Sequence, residues 1–268
     1  MIYRAVLKHG PPLTSPDGEP TRGTFYFCKM LFALVQEHKP AYLALAVDTP
    51  RKDTFRRRLY PGYKASRDRG EGLSEEVLLQ IRRIEQIVNA LGVPVIKVES
   101  FEADDVIASL VNICASEEVE CVVCSSDKDL HQVVGKNCRI YDAMKSEWVS
   151  SRDVRSRWGV PPEKIVEVQT LAGDSTDDVP GVSGIGLKTA TTFIQKYGSV
   201  AGVMEARSEL TTSKREALEA ADLNLCRQLV ALRRDVKLAV SSDALAFNGF
   251  NMKKARPIFQ KLGFRQWM

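Results

Sequence analysis

Gly173-Asp174-Ser175-Thr176-Asp177-Asp178-Val179-Pro180-Gly181-Val182-Ser183-Gly184-Ile185-Gly186-Leu187-Lys188-Thr189-Ala190 places three carboxylates directly ahead of a glycine-punctuated turn and a Lys/Thr/Ala helix start. Carboxylate oxygens are ligands for hard divalent cations. A Gly-x-Gly turn that presents backbone N–H groups at a helix N-terminus holds a phosphate. Gly184 and Gly186 permit positive φ and close backbone approach, Lys188 adds a cation and Thr189 a hydroxyl donor. One short segment thus combines metal ligands with a grip on a phosphodiester backbone. A plain packing turn between two helices is the competing reading of the glycines.

Residues 181–186, with helix-like sequence on both sides, resemble a helix–hairpin–helix element. Such an element reads backbone rather than base edges, so binding is expected to be sequence-independent. Upstream, strand-like and helix-like segments alternate. Helices are expected over 21–37, 74–91 (Ser74 as N-cap, Gly92 as stop), 103–114 and, briefly, 129–134. Strands are expected over 41–47, 93–98, 119–124 and 138–141. This alternation predicts an α/β fold with a mainly parallel sheet flanked by helices. From about residue 150 the sequence reads as helical, interrupted by Gly and Pro. Two domains are expected, an α/β domain over 1–150 and a helical domain over 151–268 that carries the hairpin.

Acids recur where these strands end or helices begin: Asp48, Glu102, Asp104, Asp105, Asp127 and Asp129, with Asp174 and Asp177 opening the helical part. In an open parallel sheet the carboxyl ends of the strands line one crevice, so these residues can converge there. Crowded carboxylates resist ionisation unless cations neutralise them, and Mg²⁺ suits an all-oxygen site. With three histidines in the chain, no imidazole pattern competes for a softer metal. Each acid also has a simpler reading: Asp129 and Glu102 as helix caps, Asp48 as a turn former.

Directly after Asp48, residues 51–69 (RKDTFRRRLYPGYKASRDR) carry eight Lys or Arg and two Asp, a local charge of +6 in a chain whose net charge is +4. The basic excess of the protein is concentrated here, with Phe55, Tyr60 and Tyr63 interleaved, as expected where bases stack beside phosphate contacts. A solvated charged loop is the alternative. The six cysteines show no framework; Cys121 and Cys124 lie in a strand-like run that points them to opposite faces, so reduced intracellular thiols are expected rather than a metal or redox pair. No apolar run is long enough to cross a bilayer, so no membrane partner is expected.

Tyr3-Arg4-Ala5, Pro20-Thr21-Arg22-Gly23, Ala46-Val47-Asp48, Thr54-Phe55-Arg56 with Tyr60-Pro61-Gly62-Tyr63-Lys64-Ala65-Ser66-Arg67, Phe101-Glu102-Ala103-Asp104-Asp105-Val106-Ile107, Ser126-Asp127-Lys128-Asp129-Leu130 and the opening stretch resemble, in order, the 5′ nuclease family. That family comprises the N-terminal domain of bacterial DNA polymerase I, its stand-alone homologues and the flap endonucleases. The resemblance covers nearly the whole chain, to residue 238, and implies a PIN-like nuclease domain. It implies two Mg²⁺ ions, with Mn²⁺ able to substitute. Asp48, Glu102, Asp104 and Asp105 would serve the first ion, and Asp127, Asp129, Asp174 and Asp177 the second. Arg56, Lys64 and Arg67 would be catalytic residues of an arch that clamps a 5′ single strand, with Tyr63 stacking on a base. Gly181, Gly184, Gly186, Lys188 and Thr189 would grip the duplex, with K⁺ at the hairpin carbonyls. The implied partners are DNA with 5′ flaps or ends and RNA/DNA hybrids, bound by a stand-alone monomer.

The sequence departs from the family pattern in two places. Asp178 stands where Asn is more usual. The family also normally begins with a buried strand ending in Asp-Gly ahead of the segment matching Tyr3-Arg4-Ala5, whereas this sequence begins Met1-Ile2. That difference predicts a weakened first metal site and exposed sheet edges. Two functions therefore stand side by side. One is a metal-dependent 5′–3′ exonuclease and flap endonuclease of replication or repair. The other is a nucleic-acid-binding protein of weak turnover. A phosphatase or generic helical scaffold fits the basic run and the hairpin less well.

Overall fold

A computed structural model describes residues 2–7, 11–68 and 74–268. In chain order the helices are α1 (Ile2–Leu7), α2 (Arg22–His38), α3 (Phe55–Leu59), α4 (Glu75–Ala90), α5 (Ala103–Ser116), α6 (Ser151–Trp158), α7 (Ile165–Ala172), α8 (Leu187–Tyr197), α9 (Val200–Glu205), α10 (Thr212–Ala220), α11 (Leu223–Val230) and α12 (Met252–Leu262). The strands are β1 (Leu45–Ala46), β2 (Val95–Ile96), β3 (Cys121–Cys124), β4 (Cys138–Asp142) and β5 (Glu147–Val149). No described helix is long and apolar enough to cross a membrane.

The chain forms two compact units that interleave along the sequence. One holds the described parts of Met1–Val47, Glu71–Lys97 and Lys237–Met268. Its core is built from the apolar stripes of α2 (Phe27, Cys28, Leu31), α4 (Ile84, Ile87, Val88) and α12 (Ala255, Phe259, Leu262). Thr21 precedes α2 but its side chain does not cap it. The buried amide of Gln80 serves instead: its Oε1 accepts from the N–H groups of Gly23 at 2.7 Å and Thr24 at 3.3 Å. These are two of the donors every helix start leaves open. A β-carbon on Gly23 would lie 2.4 Å from Val6 Cα, so α1 and α2 meet backbone to backbone. β1 and β2 pair in parallel, Leu45 opposite Val95. They are shorter than the sequence suggests because Pro94 has no N–H to extend the ladder; its carbonyl accepts from Leu45 at 2.9 Å.

The second unit holds Asp48–Gly70, in its described part, and Val98–Val236. Here β3 and β4 run parallel, with Cys121 opposite Cys138, and β5 returns antiparallel, with Ile140 opposite Val149. The α/β class expected from the sequence is borne out, but the sheets are small and mixed. β5 follows a tight turn in which Asp142 accepts the N–H of Met144 at 3.0 Å and Ser146 takes a φ of +57°. The stretch expected to be a short helix after residue 129 is a 3₁₀ turn, Asp129–Val133. All six cysteines are free thiols.

Between α7 and α8 lies the glycine-rich segment. Asp174 and Val179 exchange backbone hydrogen bonds at 3.0 and 2.9 Å, closing a loop around Asp178, whose φ is +56°. Asn and Asp tolerate this left-handed conformation better than other side chains do, so aspartate can replace the more usual Asn there. Gly173 and Gly181, at φ +69° and +63°, close the loop base with backbone against backbone. A β-carbon on Gly173 would lie 2.4 Å from the Val179 carbonyl, and one on Gly181 2.3 Å from Gly173 N. Gly184 also has positive φ, +74°, with open space around it. Gly186 does not need positive φ as the sequence suggested: it sits at φ −81° as the residue before α8. We expect Gly173→Ala and Gly181→Ala each to cost about 3 kcal/mol or more in urea unfolding, and Gly184→Ala only about 1 kcal/mol. Equal losses at all three positions would contradict the packing at the loop base.

Candidate active site

Five segments of the second unit bring functional side chains together: the residues after Asp48, the start of α5, the loop after β3, the Asp174–Asp178 loop and the chain following α11. One cleft is lined by Tyr63, Lys64, Glu102, Asp104, Asp129, Asp174 and Asp177, with Arg56 beneath.

Asp104 is the most crowded acid. Burial, then the charges of Asp127, Asp48 and Glu102, push its carboxyl well above the usual range. Asp48 lies at the end of the stretch after β1, its Oδ1 accepting the Ala103 N–H at 2.8 Å. Its carboxyl is also raised, by desolvation and by Glu102, with the Ala103 bond opposing. Asp127 accepts the N–H of Asp129 at 3.0 Å, which folds the Asp127–Asp129 turn. Asp129 is pushed up to about 6 by burial and by Asp127, and the amide of Gln169, donating at 2.8 Å, pulls the other way.

The remaining acids of the cleft are paired with cations. Lys64 Nζ bonds Glu102 and lies 3.4 Å from Asp177 Oδ2. Arg67 Nη2 reaches Asp177 Oδ1 at 2.5 Å, and Lys128 Nζ reaches Asp174 Oδ2 at 2.5 Å. Burial would raise the carboxyls of Glu102 and Asp174, but Lys64 and Lys128 respectively outweigh it and both are lowered. The basic segment is fastened over the Asp174–Asp178 loop by backbone as well. Lys64, at φ +54°, donates its N–H to the Asp177 carbonyl at 2.9 Å, and Ser66 donates to Asp178 Oδ2 at 2.8 Å. Arg69, read as part of this basic segment, lies outside the described residues.

Three of the expected roles look different in the folded chain. Arg56 is 1% exposed. All five of its N–H groups are used: on Asp105 at 2.6 and 2.7 Å, Glu102 at 2.9 Å, and the carbonyls of Leu229 at 2.8 Å and Ala231 at 2.9 Å. Asp105 is fully buried and accepts two further bonds, from the N–H groups of Arg233 at 2.9 Å and Glu102 at 3.2 Å. Neither oxygen of Asp105 is left for a cation, because Arg56 and two backbone N–H groups fill both, and no N–H of Arg56 is left for a phosphate. Tyr63, expected to stack on a base, is 3% exposed and packs with Val179, Cys226, Leu229 and Val230. Its hydroxyl donates to Glu102 at 2.9 Å, and its ring offers no open face.

Gly184, Gly186 and Lys188 are exposed, Thr189 and Gly181 are half-buried, and none of them lines the carboxylate cleft. Lys128 and Gln169 both reach site carboxylates, and reading the sequence for acids passed over both. Lys128 carries no signal beyond lying between two acids. Gln169 does carry one: it shares the i, i+3, i+4, i+7 stripe of α7 with Ile165, Val168 and Ala172, and an amide on an apolar stripe needs buried partners. Among the described residues, no three acids, thiols or imidazoles already form a metal-ready shell.

A family profile for the 5′-3′ exonuclease N-terminal resolvase-like domain matches residues 1–159, and one for the 5′-3′ exonuclease C-terminal SAM fold matches residues 160–253. The chain belongs to the 5′-3′ exonuclease family. A 5′-3′ exonuclease of Aquifex aeolicus is 33% identical over 265 residues, which is 97% of this chain and 88% of that protein. DNA polymerase I of Rhizobium leguminosarum is 38% identical over 265 residues, but the chain spans only 26% of that relative's length. Among solved structures, a T5 5′-exonuclease with bound zinc superposes with a TM-score of 0.71 at 20% identity, covering 88% of this chain and 90% of that one. At that identity the likeness supports the fold alone.

The Arg56 geometry predicts a stability effect. Arg56→Met should cost about 3–5 kcal/mol, because it leaves Asp105 charged and buried without its partner. Arg56→Lys should restore little of this, since one ammonium cannot make five planar bonds. Chemical denaturation checks both, and a wild-type midpoint for Arg56→Met would return Arg56 to a directly catalytic role.

Proposed function

We propose that this chain is a metal-dependent 5′–3′ exonuclease and flap endonuclease acting on DNA. The observation that carries the reading is the meeting of seven carboxylates, Asp48, Glu102, Asp104, Asp127, Asp129, Asp174 and Asp177, with Lys64 and Arg67 of the basic segment, in a chain of this family. An all-carboxylate set suits hard divalent cations. No hydrogen bond from a described residue reaches Asp104, while three acids raise its proton affinity, the electrostatic condition that a cation relieves.

We assign Asp48, Glu102 and Asp104 to one Mg²⁺ and Asp127, Asp129, Asp174 and Asp177 to a second, with Mn²⁺ able to replace either. The bound ions would polarise the phosphate and the attacking water. Lys64 and Arg67 pair with Glu102 and Asp177. With the acids occupied by Mg²⁺, their charges become available to a substrate phosphate, where cations stabilise developing negative charge. Arg56 and Asp105 take a supporting role beneath them. The exposed N–H groups around Gly184 and Gly186, with Lys188 and Thr189, would hold duplex phosphates at the start of α8, with K⁺ at the hairpin carbonyls. On this reading residues 1–150 supply most of the carboxylates and the basic segment, and residues 151–268 supply Asp174, Asp177 and the hairpin that grips DNA.

Cleavage of a 5′-flap duplex with and without Mg²⁺ tests the activity, with expected loss of cutting in EDTA. Asp104→Asn should lower kcat by about a hundredfold or more, while flap DNA is bound as tightly as before. The second reading, a binding protein of weak turnover, is favoured by the ion pairs already satisfying Glu102, Asp174 and Asp177. It predicts binding without cutting in folded wild-type protein, and that result would sink the nuclease assignment. Gly186→Ala separates grip from fold: its β-carbon meets nothing within 4 Å. Stability should stay within about 1 kcal/mol of wild type while DNA affinity falls. Unchanged affinity in a band-shift titration would remove the hairpin from the interface.

A further inference from the structure

Beneath the cleft, two buried glutamines connect Asp129 to the backbone that follows α11. Gln169 and Gln132 are 3% and 4% exposed. Gln169 Nε2 donates to Asp129 Oδ1 at 2.8 Å. Gln132 Nε2 donates to Gln169 Oε1 at 3.1 Å and to the Val230 carbonyl at 2.9 Å. Gln132 Oε1 accepts the backbone N–H of Leu232 at 3.2 Å.

The direction of this relay is fixed at its far end. A backbone N–H only donates and a backbone carbonyl only accepts, so Leu232 and Val230 together determine which end of the Gln132 amide is oxygen and which is nitrogen. The Gln132 nitrogen then faces Gln169, whose oxygen must face Gln132. The Gln169 nitrogen is left pointing at Asp129. A free glutamine beside a carboxylate can turn its oxygen inward and repel it; this one cannot without breaking its bonds to both Asp129 and Gln132 in a buried site, where unmade hydrogen bonds are costly.

We propose that Gln169 is a positioning residue that aims the Asp129 carboxylate for a divalent cation, with Gln132 setting its orientation. The proposal rests on the metal-dependent reading above. With Oδ1 occupied by the Gln169 donor, the carboxylate plane is fixed and its remaining lone pairs are directed to the cleft. Donors of this kind around metal-binding carboxylates typically affect affinity by about 10- to 100-fold when removed. Gln169 borders the cleft but is almost wholly buried with its donor spent on Asp129, and Gln132 lies behind it, so both act through Asp129.

Calorimetric titration of the full chain with Mn²⁺ alone, without DNA, tests the inference. Gln169→Met keeps length and removes the donor. It should weaken Mn²⁺ binding about tenfold and lower kcat on a 5′-flap duplex by a similar factor, with KM for DNA unchanged. Gln132→Met leaves the Gln169 amide in reach but unoriented, and should shift Mn²⁺ affinity in the same direction by less. A residue that merely packed would lower the melting temperature and leave Mn²⁺ affinity and the kcat-to-KM split untouched, and that pattern overturns the proposal. If Gln169→Met does not fold, Gln132→Met decides: wild-type Mn²⁺ affinity in the folded protein overturns it. Failure of both variants to fold makes the relay a folding element and overturns it as well. Wild-type protein that binds no Mn²⁺ fails at the earlier step and removes the metal reading itself, whereas saturable wild-type binding with an unaffected Gln169→Met variant removes only this inference.

Discussion

The guanidinium of Arg56 is the interaction on which the site depends. A buried arginine is tolerable only when its charge is paired and all its N–H groups are bonded, and here five acceptors surround it. Two carboxylates of the α5 start supply charge, and two carbonyls, one in the last turn of α11 and one just after it, supply the rest. The consequence reaches further than the pair. Residues 229–233 span the end of α11 and the chain just after it, and side chains satisfy backbone groups left open there one after another. Arg56 takes the carbonyls of Leu229 and Ala231, Gln132 takes the Val230 carbonyl and the Leu232 N–H, and Asp105 takes the Arg233 N–H. Elements distant in sequence are thereby held to one template below the cleft.

Above that template the arrangement is governed by repulsion. Asp104 faces Asp48, Glu102 and Asp127, while Asp129 faces Asp127. Such crowding is unfavourable in a protein without counter-charge, and the chain supplies only part of it, through Lys64, Arg67 and Lys128. These cations sit on Glu102, Asp177 and Asp174, and Lys64 offsets only part of the charge around Asp104, whose carboxyl stays raised. The charge deficit is therefore localised, and it falls where the proposed function needs a divalent cation. The lysine and arginine of the basic segment that pair with these acids are the groups the proposed function brings to a phosphate.

Much of this was legible before folding. The acid series, the concentration of positive charge after Asp48 and the glycine hairpin are all local patterns, and seven of the eight expected acids do gather in one region. Burial was not legible. Arg56, Tyr63 and Asp105 carry the same chemistry as their exposed neighbours, and nothing in a string of basic and aromatic residues says which arginine is sunk and which tyrosine loses its open face. Gln132 and Gln169 were overlooked because amides carry no charge pattern. Only the apolar stripe of α7 marks Gln169 as unusual. The short β1–β2 ladder and the returning β5 were hidden for a similar reason, since strand length depends on which neighbour offers N–H groups.

The sequence by itself determined the chemistry available: carboxylates at strand ends, a glycine-rich turn over residues 181–186, and cations beside aromatics in residues 51–67. These follow from residue type and spacing, which folding does not alter. Tertiary structure alone decided how that chemistry is divided between working and supporting groups. Whether a carboxylate is open to a cation or spent on a buried guanidinium depends on long-range contacts such as those between residue 56 and residues 229–231, and the desolvation that makes such a contact obligatory exists only once the chain has closed around it.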